Sequence, residues 1–342
     1  MRMRLAAVVF LFIGIGLVSY SGVSICNADP IKLTYSNFFP ATHVQSKLAE
    51  EWAKEVEKRT NGKVVVEYYP GQTLTKADVV YDGVVNGISD IGFSVLGYTR
   101  GRFPIMEVID LPLGYKNAGE ATTVANTVYD NFKDRALTDT QVMYLHAHGP
   151  GLLHTKDKAV RQLEDVKGLR LRSTGTSAKV AKALGASPVA QPMPETYQSL
   201  QKGVVDGSLY PLESNKGWKL GEVIDYCTLD FPAAYTTTFF VVMNKDKWKA
   251  LPQDVKDTIS KINQEWIPKH IVAWDESDRE GVEFLKEKKK EIISLEESEA
   301  AKWKDAVQPV LTEFVSDMKA KNLPGQEALD TAVKALDSAR KK

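Results

Sequence analysis

Cysteine is nearly absent: the chain has two, Cys26 and Cys227, and the first falls in an apolar leader. One remaining thiol excludes an internal disulfide framework, so the fold must rest on a packed core, which a chain of this length can supply. Charge of one sign is also absent. Lys and Arg together number 44, as do Asp and Glu, and a balanced chain offers no electrostatic footprint for nucleic acid or a polybasic contact with a membrane. Histidine is scarce, with five residues. His146 and His148 would share one strand face and His154 follows closely, but His43 and His270 lie far off in sequence, so no closed metal site is expected. No Ser-His-Asp arrangement, phosphate loop or dinucleotide fingerprint appears, which leaves an enzyme without a chemical handle and a cofactor without a motif. Gly83–Gly87 and Gly203–Gly207, reading GVVNG and GVVDG, lack the lysine a phosphate loop needs.

Long apolar runs are confined to the beginning. Arg2, Arg4, the apolar run from Leu5 to Val18 and the small residues ending at Ala28 have the layout of a secretory signal peptide, too short for a comfortable membrane span. Cleavage after Ala28 is the expected processing; acylation at Cys26 is the alternative, with Ile25 bulkier than that processing accepts. Removing residues 1–28 takes away two arginines and no acid, so the formal charge moves from zero to about −2. No later run approaches spanning length, and the mature chain is expected to be soluble and exported to the periplasm.

What is present is a repeated alternation. Residues 31–36 read as a strand, and Val44, Leu48, Ala49, Trp52, Ala53 and Val56 recur at helical spacing up to a C-cap at Gly62. KVVVEYY is a second strand, a helix capped by Thr75 runs to Gly87, and DIGFSVL is a third strand. The same β-α-β-α-β order returns in LRLRST, SAKVAKAL, SPVAQ, ETYQSLQKG and DGSLYP. GVVNG and GVVDG each precede a third strand and read as the shared phrase of two similarly built halves. Between them lie a helix near 118–132 and the strands QVMYLHAHG and GLLHTK. After them DYCTLDF reads as a strand burying an inert Cys227, and TTTFFVVMN is long enough to cross back. Residues 254–290 are mostly helical, and the tail past Glu296 is an amphipathic helix that packs across a lobe or dimerises the protein. The fold class is α/β: two β-α-β-α-β lobes joined by hinge strands, of the two-lobed periplasmic-binding-protein-like kind, with long C-terminal helices. The first lobe is expected to comprise 29–152 plus about 241–281, and the second 153–240 plus about 282–342.

Within LRLRST, strand alternation puts Arg170 and Arg172 on one face and the leucines on the other. A guanidinium matches a carboxylate with two parallel hydrogen bonds and stays charged, so an arginine near a strand end is a candidate carboxylate holder. Solvated surface charge is the alternative for both arginines.

At GLRLRSTG, SPVAQPMPETYQSLQKGVVDG and Pro211, the chain resembles the solute-binding proteins of TRAP transporters, of the C4-dicarboxylate-binding type. The resemblance extends through His43, KRTNGKVVVEYYPGQTL, NGISDIGFSVLGYTRGRFP, and Asn244 followed by Trp248 and Leu251-Pro252. It implies an extracytoplasmic protein that closes on an organic acid and delivers it to membrane permease subunits. It also implies that Arg172 pairs with the ligand carboxylate, leaving Arg170 at the surface.

The departures narrow the ligand. Gly149-Pro150-Gly151 stands where sialic-acid-binding members carry a second arginine. Val95 and Tyr98 align with an acid and an arginine, Tyr210 with an asparagine, and Met193 with a phenylalanine. A second ligand carboxylate buried without a partner would cost several kcal/mol. The expected ligand is therefore an organic monocarboxylate with an aromatic or bulky apolar body. Strand ends facing the cleft supply the other candidate contacts: Phe38, Phe39, Ser94, Val95, Tyr98, His148, Met193, Tyr210, Glu213 and Tyr235. His148 is expected to donate a hydrogen bond to the ligand. Glu213 would accept from a ligand amine or start the next helix, and Trp218 is assigned to the core. An exported enzyme using His148 as a base, or a ligand-presenting subunit for a signalling receptor, are the alternative functions; a monomer is expected, with a dimer left open.

Overall fold

The computed structural model describes residues 29–341, so the leader, with Cys26, lies outside them. β1 (Ile31–Asn37) buries Leu33 and Tyr35 in alternation. α1 (Val44–Arg59) starts at His43, whose Nδ1 accepts the Gln45 amide, and ends at Thr60, just before Asn61 and Gly62 turn to positive φ. β2 (Val64–Tyr69), α2 (Val80–Val85) and β3 (Ile91–Val95) follow. Thr75 does not cap α2; its hydroxyl pairs with Ser36 Oγ at 2.6 Å, tying the α2 approach to β1. α3 (Ala118–Phe132), capped by Asn117, leads to β4 (Thr140–Ala147).

The chain then crosses. β5 (Gly151–Thr155), β6 (Arg170–Ser173), α4 (Thr176–Ala183), β7 (Ser187–Ala190), α5 (Thr196–Gln201), β8 (Gly207–Pro211), α6 (Ser214–Gly217) and β9 (Tyr226–Leu229) build the second lobe, and β10 (Thr238–Asn244) returns to the first. α7 (Lys245–Ala250) and α8 (Gln253–Glu287) lead back to β11 (Glu291–Ser294), and α9 (Glu297–Ala320) and α10 (Gly325–Ala339) end the chain.

The first sheet has the order β2-β1-β3-β10-β4 and the second β7-β6-β8-β5-β9-β11. In each, the fourth strand alone runs antiparallel: β10 against β3 and β4, β5 against β8 and β9. The two lobes thus share one plan, and the odd strand of each lies next to a crossing.

The internal repeat is real, but its register differs from the GVVNG/GVVDG match by four residues. Asp90 accepts the Thr34 amide and Asp206 the Arg170 amide, each at 2.8 Å. The Asp90 carbonyl accepts from Asn244 at the end of β10, and the Asp206 carbonyl from Lys156 just past β5. Gly87 and Gly203, three residues before each aspartate, both hold positive φ. The matching phrases are therefore Gly87–Asp90 and Gly203–Asp206. Identical letters in the preceding helix drew the sequence comparison out of register.

Lobe boundaries also differ from expectation. Gly151 and Leu152 belong to the second sheet, and residues 238–240 to the first. The tail is not confined to the second lobe: Trp303 and Val307 of α9 enter its core, whereas Val310, Phe314, Met318 and the buried face of α10 pack with Val124, Ala125 and Val128 of α3. The apolar stripe that suggested a dimer helix is covered by the chain's own two lobes.

Candidate functional site

The carboxyl ends of β1, β3, β6 and β8 point into the space between the lobes, where open α/β sheets bind ligands. Phe38, Phe39, Val95, Tyr98, His148, Arg172, Met193, Tyr210, Glu213 and Tyr235 all line one cavity there. Ser94 does not: alternation turns its hydroxyl away from the cleft into the lobe, where it donates to the Ala77 carbonyl at 2.7 Å. Trp218, assigned to the core from sequence, lines the cavity and lies parallel to Phe38 with ring centroids 6.1 Å apart. Thr174, Thr237, Phe239 and Trp274 also face it and were not read from sequence. Phe239 and Trp274 stack at 5.0 Å; one lies on the returning strand and the other on α8, so only tertiary folding brings them together.

Arg172 is the sole cationic side chain among the described residues of the lining. It is 3% exposed, with Nε donating to the Gln191 carbonyl at 2.9 Å and Nη1 to the Leu209 carbonyl at 3.5 Å. These bonds fix the plane of the fork and leave further donors available. Among the described residues no carboxylate forms an ion pair with it, whereas Arg170, on the outer part of the same strand, is paired with Asp206 at 2.6 Å. A buried guanidinium without an acid is costly unless a ligand supplies the negative charge.

The space that an arginine would fill above Gly151 is taken by Tyr235. A Cβ on Gly151 would lie 2.3 Å from the Tyr235 ring, and a Cβ on Gly149 2.3 Å from Asp278 Oδ2. The glycine run is therefore required by close neighbours on both sides. Tyr210 contributes less wall than expected, because its ring stacks on His154 at 3.8 Å and its hydroxyl donates to Asn215.

Glu213 is already engaged. His43 Nδ1 accepts a backbone amide, so neutral His43 carries its proton on Nε2 and donates it to Glu213 Oε2 at 3.0 Å. Ser214 donates to the other oxygen at 2.5 Å. Glu213 is thereby a latch between the lobes, with both oxygens already holding protein donors. Tyr98 makes a second tie, its hydroxyl accepting the Met193 amide at 2.8 Å across the cleft. Met193 and Trp218 from the second lobe pack against the core of the first. The lobes are in the closed arrangement.

Folding brings two of the remaining histidines together. His146 is stacked on His270 at 4.1 Å, and its Nδ1 accepts the Trp274 indole proton. His154 lies under Tyr210 with its Nδ1 on the Leu152 carbonyl. Burial holds His154 and His270 in the neutral form, each pushed down to about 3. His148 is also neutral, pushed down to about 4 by burial, and its Nδ1 lies 2.6 Å from the Gly149 carbonyl.

Residues 35–317 match the profile of bacterial extracellular solute-binding protein, family 7. The chain belongs to that family. Among solved structures, this family-7 protein is similar to a TRAP solute-binding protein from Rhodoferax ferrireducens in complex with copurified benzoate (30% identity, TM-score 0.86, 91% of this chain and 99% of that one). It is also similar to a TRAP periplasmic solute-binding protein from Bordetella bronchiseptica with bound (R)- and (S)-mandelate (29% identity, TM-score 0.83, 90% and 99%). The C4-dicarboxylate-binding periplasmic protein DctP of Vibrio cholerae is 24% identical over 310 residues, 90% of this chain and 93% of that one. Among the described residues no helix is long and apolar enough to cross a membrane.

Proposed function

We propose that this family-7 protein is the periplasmic capture component of a TRAP transporter. Its ligand is an organic monocarboxylate with an aromatic or bulky apolar body, which it delivers unchanged to membrane permease subunits. The observation that carries the reading is Arg172: a buried fork without an acid, at the edge of a cavity walled by Phe38, Phe39, Tyr98, Trp218, Tyr235, Phe239 and Trp274. One cation matches one carboxylate, and a second would be buried against aromatic rings at a cost of several kcal/mol. The benzoate and mandelate held by the two structural relatives are acids of this kind. The relative named for C4-dicarboxylates lies further off in sequence, and among the described residues the lining has no second positive group for such a ligand.

Capture works by hinge closure. The second lobe holds the carboxylate through Arg172 while the first supplies Phe38, Phe39, Val95 and Tyr98, so only the closed form meets both ends of the ligand. The ligand shifts the open–closed balance by its preference for that form alone.

The test is a thermal-shift screen of the mature chain against aromatic and aliphatic monocarboxylates, C4-dicarboxylates, sialic acid and aromatic amino acids, followed by calorimetric titration. A ligand at a hundred times its dissociation constant adds about 2.7 kcal/mol of stability. Stabilisation by aromatic monoacids is expected. Selective stabilisation by a dicarboxylate or sialic acid would keep the family and overturn this ligand class, and conversion of a bound acid, followed by mass spectrometry, would overturn the assignment as a pure binder.

A further inference from the structure

His148 lines the cavity and is 3% exposed. Its Nδ1 lies 2.6 Å from the Gly149 carbonyl oxygen, which can only accept, so the proton of the neutral ring sits on Nδ1. That leaves Nε2 as a lone pair, reversing the role of donor expected from sequence. Among the described residues Nε2 has no hydrogen-bond partner. Unlike His146 Nε2, it is not sealed among the fully buried orphan atoms, and so it keeps contact with the cavity.

Two protein donors beside the ring, on Trp274 and Thr236, are committed elsewhere. Tyr235, Phe239 and Trp274 surround the ring at centroid distances of 6.0, 6.0 and 6.1 Å. The Trp274 indole proton goes to His146, and the Thr236 hydroxyl donates to the His148 carbonyl at 2.7 Å. When a ligand fills this aromatic box and expels water, the Nε2 lone pair is either met by the ligand or buried unmet, and an unmet acceptor opposes binding.

We propose that the ligand carries a hydroxyl group whose proton His148 Nε2 accepts, so that this protein selects hydroxylated monocarboxylates over their unsubstituted counterparts. The proposal rests on the reading of the cavity as a monocarboxylate site: Arg172 takes the carboxylate, and His148 reads the hydroxyl on the same small molecule. Two positions supply that chemistry, the carbon beside the carboxylate and the aromatic ring, and matched ligand pairs separate them. Sites that hydrogen-bond a ligand hydroxyl discriminate strongly against the analogue lacking it.

The experiment is calorimetric titration of the mature chain with mandelate against phenylacetate and with 3-hydroxybenzoate against benzoate, each hydroxy acid accompanied by its methyl ether. At least one hydroxy acid is expected to bind about tenfold more tightly than its partner, with the methyl ether losing the gain. His148→Phe should close the gap, and His148→Gln, which keeps an acceptor, should retain most of it. Equal affinities within both pairs, or a gap that persists in His148→Phe, would overturn the proposal while leaving the monocarboxylate reading intact. Failure of all these acids to bind would overturn both. If His148→Phe does not fold, the methyl ethers decide the question on the unaltered protein.

Discussion

On the function proposed above, a single guanidinium sets the chemistry of the cleft, and its two carbonyl contacts set its aim. Arg172→Ala removes the only positive charge of the lining among the described residues, so a bound carboxylate would be left buried without a partner. The expected loss is on the order of 2–4 kcal/mol of binding free energy, a few tens to several hundredfold in affinity by calorimetry. Arg172→Lys is expected to recover little, because a point charge cannot reproduce the fork held by the Gln191 and Leu209 carbonyls. Unchanged affinity in the alanine variant would remove Arg172 from the site. Sequence suited Arg172 to this assignment because strand alternation and a family motif converge on it. It was less informative about Glu213, whose partner His43 lies far upstream, and about His148, whose tautomer is dictated by the Gly149 carbonyl. Ser94 was misplaced for a simpler reason: adjacent strand residues face opposite ways, and Val95 has the face toward the cleft.

The strands at the crossings between lobes are held by buried acids from neighbouring segments. Asp110 Oδ1 accepts both the amide and the hydroxyl of Thr238, at 2.9 and 2.7 Å, where β10 begins. Asp230 Oδ1 accepts the Leu153 amide of β5 at 3.0 Å. Burial pushes each carboxyl up to about 7, only partly opposed by these hydrogen bonds. Between about pH 4 and pH 7 the folded chain therefore holds more protons at these sites than the unfolded chain. Their contribution is full at low pH and is lost as pH rises through 7. Asp110→Asn keeps the acceptor oxygen and removes the titration. Its melting temperature is expected to fall less than that of the parent between pH 5 and pH 8, and an unchanged slope would assign the pH dependence to other groups. At this scale the sequence was informative where elements are long and periodic, as in α1, α3, α8 and the strand rich in valine and phenylalanine. It hid β11, four residues at a sheet edge, and α10, whose small buried residues Ala328, Ala332 and Ala335 make a weak apolar signal.

For the molecule as a whole, closure depends on backbones meeting without side chains between them. Gly97 follows β3 and Gly175 follows β6, and a Cβ on Gly175 would lie 2.9 Å from the Gly97 Cα across the mouth of the cleft. Gly175→Ala is expected to hold the lobes apart and weaken ligand binding by about tenfold, with the liganded protein retaining an open-state radius of gyration by small-angle scattering. Gly175 also has a φ of +50°, so Gly97→Leu, at a position without left-handed backbone, isolates the steric part. A compact liganded state in both variants would show that the mouth tolerates side chains. The two-lobed plan was legible because β-α-β-α-β recurs. The contact at the mouth was not, since nothing local marks two glycines from different lobes as neighbours.

The sheet orders also bear on how the chain acquires its fold. Every strand of the second sheet except β11 comes from one continuous stretch, Gly151 to Leu229, whereas the first sheet must admit β10 between β3 and β4 after that whole stretch has been made. Until Thr238–Asn244 arrives, β3 and β4 each present an unpaired inner edge, and closing so distant a pairing is slow. The half synthesised first is thus the half completed last. Pulsed hydrogen exchange during refolding is expected to protect the amides of β5, β6 and β8 before those of β3 and β4; the opposite order would mean that β10 docks before the second sheet has formed.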